Sequence, residues 1–484
     1  MTKKDWRWPK KGVKNPEKLG KYLQNLPCPY EDGKRVPMCY PGTILSKSLL
    51  GRAKSLLAKQ LNAIGSHTHI KINPDGSLKF RTGEGAFDDI HRIEAEAIWM
   101  IGSTMGGMPE TIDGFFCGGG TEANLQGLWI GREYLRKKPD PFDRGTIVIG
   151  TPLSHYSIPK AVDILGLDYH NTNSKDSGSG FHMVGMNEAG EMSIELLREF
   201  IALKYQEGFR RFLLSPTVGT SLMGSIDPIK EIGKLITELR KSSNANFYMH
   251  VDASFAGFTV PFVNPDLHFA FQVPEVMSVT VDGDKMGQLP YPAGVFLCRK
   301  NLQDLVKRVV PYVRGNHDDT VPGSRSCLAP ICAWYLYQTE GLKGQKKYVE
   351  KCLEVRDYLV QEVNKKLPWV NILPCSPWVN FAPMEINFRY HQDNKSGIPE
   401  IITEDPEEFE KIAEKYKELT GILFDYQLRS DKFPSDPTDP ESAPLTVYKI
   451  CTMPHITKEH IDQFIQDLDN ADRLWIEAHS LTKK

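Results

Sequence analysis

Between Thr146 and Cys298 the chain alternates short apolar, β-branched runs with longer amphipathic stretches, and this restricts its fold more than any other feature. Thr146–Gly150 (TIVIG), Arg211–Ser215 (RFLLS), Asn246–Val251 (NFYMHV), Met277–Val281 (MSVTV) and Gly294–Cys298 (GVFLC) read as buried strands. Ile158–Leu165, Ser193–Gln206 and Pro228–Arg240 carry helical spacing and separate most of them. Strand–helix alternation on this scale predicts an α/β unit with a mostly parallel sheet, buried on both faces. Met277–Val281 reaches Gly294–Cys298 across a short Pro/Gly link, which predicts a local hairpin. Upstream, Ile90, Ile93, Ala97, Ile98 and Ile101 recur at helical spacing.

Past about Leu367 the pattern changes. Strand-like Trp369–Leu373, Met384–Arg389 and Thr446–Cys451 flank a helical run, Pro406–Leu419, and an amphipathic helix runs from Thr457 to about Leu474. This predicts a smaller α+β unit. Ser430–Ala443 (SDKFPSDPTDPESA) is so rich in Pro, Asp and Ser that it reads as a mobile surface loop. The start of the chain is irregular, with eight Lys/Arg between Lys3 and Lys21 and prolines at 27, 29, 37 and 41. The expected division is an arm and dimerisation segment over 1–65, a large unit over 66–365 and a small one over 366–484.

Charge narrows the function classes. Over 484 residues, 59 Lys/Arg against 61 Asp/Glu leave a net charge of −2, which gives no global field for a nucleic-acid backbone or an anionic membrane. No stretch approaches the length of a membrane span, and Met1–Lys11 lacks the apolar core of a secretory signal. Nine cysteines, none in a CxxC pair, argue against a disulfide scaffold or zinc ribbon and for a reducing cytosol. His67 and His69 have no third ligand in view, so no metal site is expected.

In open α/β sheets ligands bind beyond the carboxyl ends of the strands, so the residues that follow each strand carry the most information. His155 follows the first run, Thr217 the second, Asp252 and Ser254 the third, and Asp282-Gly283-Asp284-Lys285 the fourth. Gly118-Gly119-Gly120-Thr121 opens a helix, where backbone N–H groups can approach an anion and the helix dipole favours it. Neither the GxGxxG nor the P-loop spacing is present. A phosphate cradle, an imidazole to stack on a ring, a carboxylate and an amine together meet the needs of pyridoxal 5′-phosphate.

At this point the motifs become specific. GGGTEAN, SHYSIPKA, HVDASFAGF and VDGDKMGQLPYPAG resemble those of the group II pyridoxal-phosphate amino-acid decarboxylases, and most closely the archaeal-type L-tyrosine/L-aspartate branch. The resemblance runs from about Gly83 to Asp467, and Ile450–Thr457 (ICTMPHIT) resembles the branch's final strand. It implies a fold type I, PLP-dependent transferase-like large domain and a cytoplasmic homodimer with its active site at the interface. The implied activity is decarboxylation of an aromatic or acidic L-amino acid. Lys285 is then the amine that bonds the cofactor, Asp252 the partner of the pyridine nitrogen, and His155 the ring stacked on one face. Ser254 packs on the other face, Thr217 meets the ring oxygen, and Gly119, Gly120 and Thr121 hold the phosphate. Tyr312 matches the tyrosine of the family's mobile catalytic loop and is the implied general acid.

Two positions depart from the family. Asp284 stands where most members have His, and contact with the substrate amine or a cationic side chain is one reading of it. Lys449 stands where relatives commonly carry Arg, and with Arg314 and Arg325 it could receive an acidic substrate group. Rival readings on the same scaffold are a carbon–carbon lyase and a desulfurase, for which Cys28, Cys39 or Cys327 could be offered. A non-catalytic homologue is the third, though such proteins usually lose the lysine or the ring carboxylate.

Overall fold

In the computed structural model the described residues are 61–68, 87–142, 144–167, 180–311, 317–386 and 430–480, with scattered positions before 55 and between 421 and 428. Helix α1 (Asp88–Ser103) turns Ala97, Ile98 and Ile101 inward and leads into the edge strand β1 (Ile112–Cys117). There follow α2 (Gly120–Arg136), β2 (Thr146–Gly150), α3 (Ser157–Ile164), β3 (Gly180–Met183), α4 (Ile194–Gln206), β4 (Arg211–Leu214), α5 (Ile229–Ser242), β5 (Asn246–Asp252), β6 (Val276–Asp282) and β7 (Gly294–Arg299). The seven strands form one sheet in the order β1-β7-β6-β5-β4-β2-β3. Strands β3, β2, β4, β5 and β6 are parallel, while β7 runs antiparallel to both β6 and β1. The β6–β7 hairpin is therefore present, whereas β1 and β3 had no clear sequence signal.

Burial explains why the strands read as continuous apolar runs. Every residue of β2 is buried, and Phe212 on β4 stacks on Phe247 of β5 at 5.5 Å. Helix α5 presents Ile229, Ile232, Leu235 and Ile236 to one face of the sheet. Helix α4 starts at Ser193, whose hydroxyl accepts the Leu196 N–H at 3.3 Å, an N-cap of about 1 kcal/mol.

Helix α6 (Leu328–Lys366) connects this sheet to a second one, and breaks at Gly341, where φ is +63° and ψ −173°. The second sheet contains β8 (Val370–Ile372), β9 (Phe381–Ile386), β10 (Ser430–Pro434) and β11 (Pro444–Cys451), all antiparallel, in the order β8-β9-β11-β10. Helix α7 (Lys458–Ser480) packs Ile461, Phe464 and Leu468 against it. Strand β10 corrects the loop expected over 430–443: Ser430–Pro434 pairs along β11 from Tyr448 to Pro444, and only 435–443 is irregular. An edge strand tolerates Pro434 because one side of it needs no ladder donor. The expected helix at 406–419 lies outside the described residues.

The beginning of the chain adds to the same small core. Val36 and Met38 are buried among Leu359, Val363, Tyr448 and Ile450. Met38 donates its N–H to the Tyr426 carbonyl at 2.9 Å and accepts from Cys451 N–H at 2.6 Å. Arg35 bridges Asp425 at 2.6 Å and Asp467 at 2.8 Å. Among the described residues no helix is long and apolar enough to cross a membrane.

Candidate active site

The parallel strands deliver their carboxyl ends to one rim of the sheet, and the side chains there share one hydrogen-bonded network. It starts at Tyr248 on β5, whose hydroxyl lies 2.9 Å from Ser278 Oγ on β6. Ser278 Oγ is 2.8 Å from His250 Nδ1, and His250 Nε2 is 3.0 Å from Asn124 Oδ1. An amide oxygen can only accept, so His250 carries its proton on Nε2 and Nδ1 accepts from Ser278. Asn124 then donates through Nδ2 to Asp252 Oδ2 at 2.8 Å and to Ser157 Oγ at 2.9 Å. The Ser157 hydroxyl is left to donate to His155 Nδ1 at 2.7 Å, which puts the His155 proton on Nε2. Burial pushes His250 down to about 4, and it lowers His155 as well, so both rings are neutral near pH 7.

Asp252 is the fixed anion of the group. Its Oδ1 accepts from the Ser254 N–H at 3.0 Å and the Ser254 hydroxyl at 2.6 Å. Burial alone would raise its pKa, but the hydrogen bonds from Ser254, together with His155 and Lys285 nearby, outweigh that and hold it below the usual carboxylate range. The Ser254 hydroxyl proton is therefore committed to Asp252.

Lys285 stands three residues beyond the end of β6, with Nζ 2.8 Å from Asp282 Oδ2. Burial opposes its charge, yet Asp282, with Asp252 and Asp284 behind it, keeps the ammonium above its ordinary pKa. Burial pushes the Asp282 carboxyl up, and its Oδ1 has no hydrogen-bond partner. Asp284 turns elsewhere: its Oδ2 accepts the Ala293 N–H at 2.9 Å, and burial followed by Asp282 pushes it up to about 6. It borders a cavity of about 290 Å³ shared with Lys285, Tyr30, Tyr40 and Tyr291.

The glycine turn lies against these carboxylates. Gly119 is the N-cap of α2 at φ +136°, a conformation that L side chains rarely adopt, and no side chain caps the helix there. Its backbone packs on Gly294, where an added Cβ would come within 2.4 Å of Gly119. A Cβ on Gly120 would meet Ser254 Oγ at 2.7 Å and Asp282 Oδ2 at 2.8 Å. Thr121 sits half-buried in the first turn. Thr217 Oγ1 is buried without a partner, although its N–H is tied to Asp227 at 2.6 Å. The donor set fits pyridoxal phosphate: open helix N–H groups for the phosphate, a locked carboxylate for the ring nitrogen, a neutral imidazole, an orphan hydroxyl and one amine.

The remaining expectations divide. Lys449, on β11, is half-buried; its Nζ donates to the Ser221 carbonyl and lies 4.9 Å from the Phe381 ring centre, and desolvation lowers its pKa. Arg325 is not available to a substrate. It is buried in an ion pair with Glu94 of α1 at 2.5 Å and also donates to the Phe116 carbonyl at 2.8 Å. His67 is 3% exposed and stacks on His91 at 3.8 Å, beside the same Glu94. Tyr312, Arg314, His69 and Cys28 lie outside the described residues, and Cys39 and Cys327 are buried.

Sequence reasoning missed Asn124, Ser157, His250 and Ser278, and assigned Asp282 no role. A signal existed for two of them. Asn124 lies one helical turn past Gly120, and His250 is the polar residue inside an otherwise apolar strand.

Comparison with known proteins agrees with this geometry. Residues 82–379 match the family described as the pyridoxal-dependent decarboxylase conserved domain. A tryptophan decarboxylase of Clostridium sporogenes is 26% identical over 419 residues, covering 86% of this chain and 84% of that one. A probable L-tyrosine/L-aspartate decarboxylase of Methanosphaera stadtmanae is 27% identical, covering 80% and 84%. Among solved structures, the glutamate decarboxylase of Lactobacillus brevis superposes with a TM-score of 0.73 at 18% identity, over 97% of this chain and 94% of that one. At that identity the likeness concerns the fold.

Proposed function

The chain belongs to the pyridoxal-dependent decarboxylase family, and from that membership we propose how its residues hold the cofactor and which amino acids it takes. It is a fold type I lyase of the group II decarboxylases that releases carbon dioxide from an amino acid, with pyridoxal 5′-phosphate as the electron sink. In the proposal Lys285 is the amine that bonds the cofactor. Asp252 keeps the ring nitrogen protonated, and it stays an anion because Asn124 and Ser254 occupy both its oxygens. Neutral His155 lies on one ring face, Thr217 Oγ1 meets the ring oxygen, and Gly119, Gly120 and Thr121 take the phosphate. Tyr312 returns a proton to the substrate's α-carbon, the role its sequence position implies.

The single observation that carries this reading is the Asp252–Asn124–His250–Ser278 network. It locks one carboxylate as an anion at the rim where Lys285 stands. The purified protein is expected to be yellow, and Lys285→Ala to lose that colour. A colourless wild type that stays colourless with added cofactor would overturn the assignment.

For the substrate we propose an aromatic or acidic L-amino acid, with aromatic ones preferred. The names of the relatives support the pair of classes. The charges support the order: among the described residues, Asp282 and Asp284 repel an acidic side chain and Arg325 is spent on Glu94. Lys449, whose field reaches Lys285 and His155, is left for the substrate carboxylate. A panel of amino acids scored for carbon dioxide and amine tests this, and faster turnover of glutamate or aspartate than of tyrosine or tryptophan would reverse the order. A cytoplasmic homodimer completes the proposal. Tyr156, next to His155, and Tyr291, on the cavity that Lys285 borders, are large exposed side chains that support an interface there.

A further inference from the structure

We propose that Asp282 is the resting partner of the Lys285 ammonium and the acceptor of its proton when Lys285 engages the cofactor's aldehyde. The inference rests on the reading of Lys285 as the cofactor amine. An ammonium cannot attack a carbonyl, so one proton must leave Nζ first, and Asp282 Oδ2, 2.8 Å away, already holds it in the resting ion pair.

Three carboxylates surround that amine, and two are already committed. Asp252 has both oxygens filled by Asn124 and Ser254 and is held as an anion. Asp284 directs Oδ2 to the Ala293 N–H, and no ion pair joins it to Lys285. Asp282 alone touches the ammonium, at 2.8 Å, with its other oxygen buried and unpartnered. Gly120 closes over it with no room for a side chain. Once Lys285 gives up its charge, Asp282 would be a buried carboxylate with no counter-ion among the described residues, a state that costs several kcal/mol. Taking the proton removes that cost.

The step balances. The ammonium proton moves to Asp282 Oδ2; the nitrogen lone pair attacks the aldehyde carbon and a carbon–nitrogen double bond forms. The carbonyl oxygen leaves as water with the two remaining nitrogen hydrogens. Nothing is oxidised or reduced. When the substrate amine displaces Lys285, the proton returns and the ion pair re-forms.

The test is the rate at which pyridoxal phosphate enters the full-length cofactor-free chain, followed by absorbance between pH 7 and 9. In the wild type the resting ion pair and the reactive neutral pair hold the same number of protons, so the rate is expected to be flat with pH. In Asp282→Asn the proton must go to solvent, so the rate should climb about tenfold per pH unit until Lys285 is neutral. Asp282→Glu should restore a flat profile. A wild-type rate that rises tenfold per unit sinks the proposal without reference to any variant, which covers the case in which Asp282→Asn does not fold. Coinciding wild-type and Asp282→Asn profiles would also sink it. If no cofactor can be trapped on Lys285 by borohydride at any pH, the reading of Lys285 fails instead.

Discussion

Asn124 is a single amide serving three neighbours, Ser157, Asp252 and His250, and its replacement is expected to be felt far beyond its size. Asn124→Ala removes a hydrogen bond to a charged carboxylate, worth about 1.5–3 kcal/mol, so cofactor affinity should fall about 10- to 100-fold in a spectrophotometric titration. Its partner His250 gives a pH signature. Its folded pKa of about 4 lies below the ordinary 6.5, so the unfolded chain binds the extra proton between those values. Stability is thus fully present above pH 6.5 and is lost as pH falls toward 4, by at most about 1.4 kcal/mol per unit from this group. Thermal melts across that window should show the decline, and His250→Gln should flatten it. At this scale the residues proposed to touch the cofactor were legible, because Lys285, Asp252 and His155 each stand at or just past the end of a recognisable strand. The residues that orient them were not. Asn124 and His250 are 126 positions apart, and only the sheet brings them together.

Among the elements, α1 is held to the strand ends by charge. Glu94 receives Arg325 and the Phe116 N–H, with both side chains buried. Glu94→Ala leaves a buried guanidinium without its counter-ion and should cost about 3–5 kcal/mol, read from the urea midpoint. The break in α6 offers a second check. Gly341 occupies a region of backbone space open to glycine almost alone, so Gly341→Ala should lower stability by about 1–3 kcal/mol. Helices and central strands followed directly from periodicity, since β2, β4 and β5 are buried on both faces. The edges did not. Strand β10 is made of Ser, Asp, Lys, Phe and Pro, a loop composition, and becomes a strand only because β11 supplies the ladder. Likewise β3 (GFHM) is too short to declare itself.

For the whole molecule, the proposed dimer predicts a native mass near twice the 54.7 kDa of one chain, and a fully active species at 54.7 kDa by gel filtration would exclude it. Near-zero net charge agrees with a site whose field comes from a few buried groups and not from the surface at large. The stretch that follows the basic run does something the sequence did not disclose: Val36 and Met38 complete the small core of their own chain. That arrangement has a consequence for synthesis. Met38 leaves the ribosome early, but its partner Cys451 follows 413 residues later. At ordinary elongation rates the gap is roughly 20–80 s. Throughout that interval the nascent chain has to keep Val36 and Met38 out of unwanted contacts. Val36 and Met38 are sealed only by residues translated several hundred positions after them.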